Sequence, residues 1–174
     1  MNGDRALMRR AGRGDEAAFA EIVTRYGGRL SAVAARLLGS RADAEDAVQR
    51  AFLQCFAGAA RYRDEWALST WLYRILTNIC VDELRRRATR AGAADELSGM
   101  AVHAAPPGAY VDLHRALEQV PREARVLLAL RYVDGLSYDE LARIRGISVN
   151  TVKSQLARGK SALRAQLSQR GGTR

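Results

Sequence analysis

The chain has 174 residues, 48% of them hydrophobic, with 28 Lys and Arg against 19 Asp and Glu for a net charge of +9. That length holds one ordinary domain or two small ones, and the apolar share lets the chain bury a core. No apolar run approaches the roughly 18 residues a membrane span needs, and the opening MNGDRALMRR lacks a signal peptide's apolar segment, so no membrane insertion and a cytoplasmic location are expected.

Three prolines and long 3.6-residue periodicities, with no sustained apolar and polar alternation, predict an all-α fold. Cys55 and Cys80 lie without CxxC spacing inside helical patterns and read as reduced core thiols. His103 and His114 have no ligand-spaced partner. No metal site or cofactor is expected. There is also no phosphate-cradling glycine loop and no nucleophile beside a base, so no catalytic residues are assigned.

The first long helix is marked by Ala18, Phe19, Ile22, Val23, Tyr26, Leu30, Val33, Leu37 and Leu38 and ends near Gly39, with Gly27 and Gly28 placed to bend it. A second runs from about Ala42 to Ala57, with Val48, Phe52 and Phe56 on one face and Asp46, Gln49 and Arg50 beside them. The loop GAARYRDEWAL follows. A third helix starts near Ser69, buries Leu72, Ile75, Leu76, Ile79 and Leu84, and runs out in Arg85, Arg86 and Arg87.

Residues 88–110 change to Ala, Gly, Pro and scattered polar residues without sustained periodicity, which predicts a flexible linker. A chain of that length spans at most about 80 Å extended and averages about 25 to 30 Å when flexible, so it tethers two domains without fixing their separation. The expected organisation is two small helical domains, 1–87 and 111–174, joined by 88–110.

In the second domain a short helix around Asp112 to Gln119 precedes one that begins at Pro121, buries Val126, Leu127, Leu130 and Tyr132, and stops at Asp134-Gly135. Ser137 and Glu140 then form an S-x-x-E capping box for a helix from Tyr138 to Arg145. Gly146 suits a left-handed turn, and Ile147 and Ser148 read as staple and N-cap of the next helix. Ala142, Gly146, Ile147 and Val152 carry the spacing of a helix-turn-helix.

Val152, Leu156, Leu163 and Leu167 face inward in that last helix, leaving Asn150, Lys153, Ser154, Gln155 and Arg158 outward. These include the side-chain types that pair with base edges in the major groove, and the helix N-terminus with Thr151 offers N–H groups to a phosphate. Residues 137–174 hold 8 Lys or Arg against 2 Asp or Glu, a surplus suited to nucleic acid. A helix-turn-helix alone does not separate a repressor or a LuxR-type regulator from a polymerase subunit.

The first half separates them. DEAAFAEIVTRYGGRLSAVAARLLGSRADAEDAVQRAFLQCF and STWLYRILTNICVDELRRR resemble region 2 of a bacterial sigma factor of the extracytoplasmic function (ECF) class, and LEQVPREARVLLALRYVDGLSYDELARIRGISVNTVKSQLARGKSALR resembles its region 4. The resemblance implies a promoter-specificity subunit that binds core RNA polymerase through the largest-subunit coiled coil and the β flap. It would read the −35 element as duplex and capture the −10 element as single strand. The polymerase surface maps to Asp46, Gln49, Arg50 and Phe52, where Arg50 stands in place of the family's usual acid.

The −10 strand maps to Arg61, Tyr62, Arg63, Trp71, Arg74 and Asn78, an aromatic beside an amide being suited to stack on and hydrogen-bond an exposed base. The Arg85 to Arg87 run would neutralise phosphates. Trp71 stands as either core packing, the favoured role, or a wedge against the strand, and Phe56 as core. The −35 element maps to Asn150, Thr151, Lys153, Ser154, Gln155 and Arg158. Arg145, at a turn position usually aliphatic, and Gln155, where Arg is common, mark where this chain's own promoter preference is expected. An anti-sigma factor is a further implied partner, either free in the cytoplasm or holding the protein at the inner membrane face.

Overall fold

A computed structural model describes residues 2–62, 67–95 and 109–171; Arg63 and His103 lie outside the described residues. Those residues form eight α-helices and one short 3-10 turn, with no strand among them.

Helix α1 (Asn2–Ala11) packs on α2 (Glu16–Leu38). Its periodicity was too short to be legible, and it is anchored by burial of Leu7, Met8 and Ala11. Asp4 also accepts from the Tyr26 hydroxyl at 2.7 Å. Asp15 caps α2 by accepting from the Ala18 N–H at 3.0 Å, and Gly39 ends it at φ 66°, where a side chain would be strained. The helix runs on through Gly27 and Gly28. Helix α3 (Arg41–Gly58), capped by Ser40, lies against α2 and against α4 (Leu68–Asp95).

Two features of this half depart from expectation. The segment Ala59–Arg61 is a 3-10 turn, and α4 continues eight residues beyond Arg87. The added turns are rich in Ala, the best helix former, and are supported by Arg90 reaching Glu83 at 3.1 Å. A helix with no apolar stripe to bury is invisible to periodicity.

Beyond the described gap come α5 (Ala109–Glu118), α6 (Arg122–Val133), α7 (Tyr138–Arg145) and α8 (Val149–Gly171). Both arms of the α7 capping box form: the Glu140 N–H donates to the Ser137 hydroxyl, and the Ser137 N–H donates to the Glu140 carboxylate at 2.8 Å. Gly146, at φ 67°, turns the chain, and the N–H groups of Gly146 and Ile147 both return to the Ala142 carbonyl. Fully burying side chains such as Leu127, Leu130 and Leu141 contributes about 1.5 to 3 kcal/mol each to this half.

Tyr132, expected in the core, is 62% exposed; Leu128 and Ala129 fill the interior instead, and Tyr132 lies under the Lys160 ammonium. Leu167 is likewise exposed, because the end of α8 runs past the bundle. Arg125, by contrast, is buried, donating to the carbonyl oxygens of Glu118 and Val120 at the end of α5.

The two halves touch. α2 lies against α6 and α4 against α7, so one apolar core runs from Leu7 through to Leu156. Docking contacts, rather than the length of the linker, set their separation here.

Candidate nucleic-acid and polymerase interfaces

The first three turns of α8 present Asn150, Lys153, Ser154 and Arg158 to solvent, because Val152 and Leu156 occupy the buried side. Ser148 caps the helix, accepting from the Thr151 N–H at 3.0 Å, and its hydroxyl lies 2.8 Å from the Thr151 hydroxyl. Thr151 is therefore half-buried at the helix mouth. Ser154 returns its hydroxyl to the Thr151 carbonyl at 3.0 Å, which leaves that oxygen as an acceptor. Gln155 is half-buried with its side-chain oxygen turned inward and unpartnered, so only part of its amide faces outward.

Arg145 does not join this face. Its side chain is 11% exposed and turned to the seam between the halves, where it donates to Glu123 of its own half at 2.7 Å and, in the other half, to the Thr77 hydroxyl at 3.2 Å and to the Asn78 amide oxygen at 3.3 Å. Its placement does not support the expectation that it tunes promoter preference: Arg145 spans the interface between the halves and does not share the outward face of α8.

On the first half, Tyr62 and Trp71 form an aromatic pair, ring centroids 5.2 Å apart and tilted by 42°. Trp71 is half-buried, its six-membered ring pressed on Gly58, where an added Cβ would stand 3.0 Å away. Trp71 thus supports Tyr62 from below, packed on one side and open on the other. Arg74 and Asn78 follow on the exposed side of α4, one turn apart, and Arg61 is exposed beside Tyr62.

The arginine run divides. Arg85 and Arg86 sit in exposed short-range pairs with Asp82 and Glu83, whereas Arg87 donates to the Leu38 carbonyl at 2.8 Å and to Asp43 at 2.5 Å. Arg87 closes the end of α2 rather than waiting for a phosphate.

On α3, Asp46 and Gln49 are exposed, and Arg50 folds back on Asp46 at 3.3 Å. The local charge at the family's acid position is thereby partly neutralised. Phe52 is sunk to 7% exposure, its ring edge-on to Phe19 at 6.2 Å, so it is core and not contact surface. The apolar residue that does face outward is Leu53, 67% exposed, and Phe56, expected as core, is partly exposed against Phe19 at 4.8 Å. Gln49, Leu53 and Phe56 share one face at four- and three-residue steps. The signal was present: Leu53 is an apolar residue off the helix's buried stripe.

A groove of about 420 Å³ opens between α5, α6 and α8. Leu113, Leu117, Leu128, Val133 and Leu163 floor it, Tyr132 flanks it, and Arg36, Lys160 and Arg164 rim it. An apolar floor with a basic rim fits an amphipathic helix carrying acidic residues.

Burial pushes the Cys55 thiol up to about 12, and Cys80 likewise to about 12 against the opposing pull of Arg50 and Arg87. Both are free and buried, as core thiols should be. Among the described residues no cluster of His, Cys, Asp and Glu is arranged to hold a metal, and no helix is long and apolar enough to cross a membrane.

Family models match both halves of the chain. Sigma-70 region 2 matches residues 22–90, and Sigma-70, region 4 matches residues 110–163. The chain is 33% identical over 171 residues to the ECF RNA polymerase sigma factor SigW of Bacillus subtilis, covering 89% of this chain and 91% of that one. It is 30% identical over 176 residues to the ECF RNA polymerase sigma-E factor of Escherichia coli K12, covering 92% of each.

Among solved structures, CnrH in complex with the cytosolic domain of CnrY aligns at a TM-score of 0.76 with 25% identity, over 96% of this chain and 98% of that one. The sigma factor RpoE of Bartonella quintana, in complex with the anti-sigma factor NepR, aligns at 0.69 with 27% identity, over 86% and 96%. A LuxR-type regulator is disfavoured, since the first half matches region 2 and its described residues are helical. Both sigma-70 regions occur in order, and relatives align across nearly the whole chain: this protein belongs to the ECF RNA polymerase sigma factors, the alternative sigma factors that direct RNA polymerase to specific promoters.

Proposed function

We propose that residues 1–87 bind core polymerase and capture the −10 strand, that 111–174 read the −35 duplex, and that 88–110 let polymerase set the distance between them. The observation that carries this reading is the capped helix-turn-helix with Asn150, Lys153 and Arg158 exposed on the first turns of α8. Arg and Lys suit guanine edges and Asn suits adenine, while Thr151 and the helix N-terminus meet phosphate.

On the first half, Tyr62 backed by Trp71 offers a stacking platform, and Asn78 an amide for the base edge. These contacts exist only when the strand is unpaired, so binding shifts the duplex toward the melted state without any covalent step. The stripe of Asp46, Gln49, Leu53 and Phe56 is the surface for the coiled coil of the polymerase largest subunit. The groove between α5, α6 and α8 takes an amphipathic helix with acidic residues, from the β flap in the holoenzyme or from an anti-sigma factor in the inhibited state. The protein acts in the cytoplasm, or waits at the inner membrane face while an anti-sigma factor holds it.

Run-off transcription on genomic DNA with core polymerase and the purified protein tests the reading. Transcripts from a limited promoter set, absent with core alone, are expected; no co-purification with core and no promoter-dependent transcript overturns it.

A further inference from the structure

Two glycines of the first half sit where a side chain would collide, and both lie against the segment that carries Tyr62. Gly12 follows the last residue of α1, its N–H donating to the Met8 carbonyl at 2.9 Å. Its backbone is outside the left-handed region that Gly14 occupies at φ 90°, so conformation does not call for a glycine there. Space does: a Cβ at Gly12 would stand 3.0 Å from the Ala59 carbonyl oxygen, 3.1 Å from the Ala59 carbonyl carbon and 3.2 Å from the Ala60 nitrogen. That same Ala59 oxygen accepts from the Tyr62 N–H at 3.2 Å. Gly58 makes the second approach, a Cβ there meeting Cζ2 and Cη2 of Trp71, the ring that pairs with Tyr62.

The seat that Gly12 offers is stiff. Leu7, Met8 and Ala11 are buried, and the turn into α2 is closed by the N–H groups of Arg13, Gly14 and Asp15, which return to the carbonyls of Arg10, Ala11 and Arg10 at 3.0, 3.0 and 3.1 Å. The Arg10 guanidinium also donates to the Asp15 carboxylate at 2.8 Å. A turn tied at both ends to packed helices, and touching the next segment backbone to backbone, passes a displacement on rather than absorbing it.

We propose that Gly12 is a positioning residue for −10 capture. The turn between α1 and α2 seats the Ala59 carbonyl, that carbonyl holds the main chain of Tyr62, and Trp71, seated on Gly58, holds its ring. The inference rests on the reading of Tyr62 as the stacking platform, and it brings the N-terminal helix into the −10 site. An aromatic ring moved by about 0.5 to 1 Å from its contact forfeits a quarter to a half of the dispersion attraction, so a side chain at position 12 weakens base discrimination without touching DNA. The path from Gly12 to Tyr62 includes no residue of the stripe from Gln49 to Phe56 and none of α8, so binding to core polymerase and to the −35 duplex is left intact.

The test compares full-length wild type with Gly12→Ala, Gly12→Val, Gly58→Ala and Tyr62→Ala, and with Gly28→Ala, whose added methyl meets open space. Each is assembled with core polymerase well below its melting temperature, and −10 preference is read as the ratio of affinities for pre-melted templates that differ at one −10 base. Gly12→Ala is expected to lower this ratio about threefold and Gly12→Val about tenfold, with affinity for core and for −35 duplex within about twofold of wild type and Gly28→Ala unchanged. Gly58→Ala should lower the ratio in the same way. Fluorine NMR of the free chain labelled with fluorotyrosine follows the Tyr62 line, identified by its absence from Tyr62→Ala. That line should move in both Gly12 variants and stay in Gly28→Ala; Gly12→Ala carries the comparison where valine proves too large for the chain to fold. A Tyr62 line unmoved by the Gly12 substitutions overturns the proposal, as does an unchanged −10 ratio beside a reduced one in Tyr62→Ala, or a loss of core affinity as large as the loss of preference. A moved line together with an unchanged ratio in Tyr62→Ala itself rejects base capture by Tyr62 and leaves its support by Gly12 standing.

Discussion

Leu53 stands one helical turn beyond Gln49 on the outer side of α3, largely exposed, while its neighbour Phe52 is sunk beneath Phe19. An exposed leucine beside a polar, part-neutralised face is suited to a partner rather than to the free protein. Leu53→Ser is expected to weaken binding to core polymerase about tenfold, a little over 1 kcal/mol, as read by competition against wild type. The melting temperature should barely move, since Leu53 is mostly in water. Equal affinity of the two proteins for core would remove Leu53 from the interface.

Arg158→Ala should weaken binding of the holoenzyme to its −35 duplex by about 1 to 3 kcal/mol and relax preference at one base position. Titration against duplexes substituted at each base distinguishes this from a phosphate contact, for which all sequences would weaken equally.

Tyr62→Ala should impair open-complex formation on duplex promoters more than −35 binding, since it removes a stacking surface worth about 1 to 3 kcal/mol per base. On pre-melted templates the variant should lose −10 sequence preference; preference unaltered from wild type rejects base capture.

The second half was largely legible because its signals are local. A capping box at Ser137 and Glu140, a glycine at 146 and a serine cap at 148 each act within four residues, and the structure bears out the helix boundaries they set. The same holds for Gly39 at the end of α2, whereas the Asp15 cap at its start is a finding of the structure. What periodicity could not supply was partnership across the chain. Arg145 looked like a turn substitution because its partners Thr77 and Asn78 lie 68 and 67 residues away. Tyr132 looked buried because it follows the apolar run of α6, yet it sits at the rim of a groove. Phe52 and Leu53 differ by one position and by about 100° around the helix, so the choice between core and surface turned on the placement of Phe19. The far end of α4 was missed because alanine stabilises a helix without burying anything.

The two thiols give a pH dependence with a definite sign. Each is pushed up from an ordinary 9.0 to about 12 by burial, so between these values the unfolded chain releases protons that the folded chain retains. Their contribution to stability is complete below about pH 9 and is lost as pH rises toward 12. At pH 8 both should resist a thiol reagent until the protein is unfolded; rapid modification of the native chain would show that Cys55 and Cys80 are reachable.

The division of labour between the halves is tested most directly by photo-crosslinking. Holoenzyme carrying a crosslinking side chain in place of Tyr62 or of Lys153 would be irradiated on a promoter it transcribes, and the linked nucleotides mapped. The account predicts that position 62 marks the unpaired strand at the −10 element and position 153 the duplex at the −35 element. Crosslinks from both positions to the same element, or from position 153 to melted DNA alone, would contradict it.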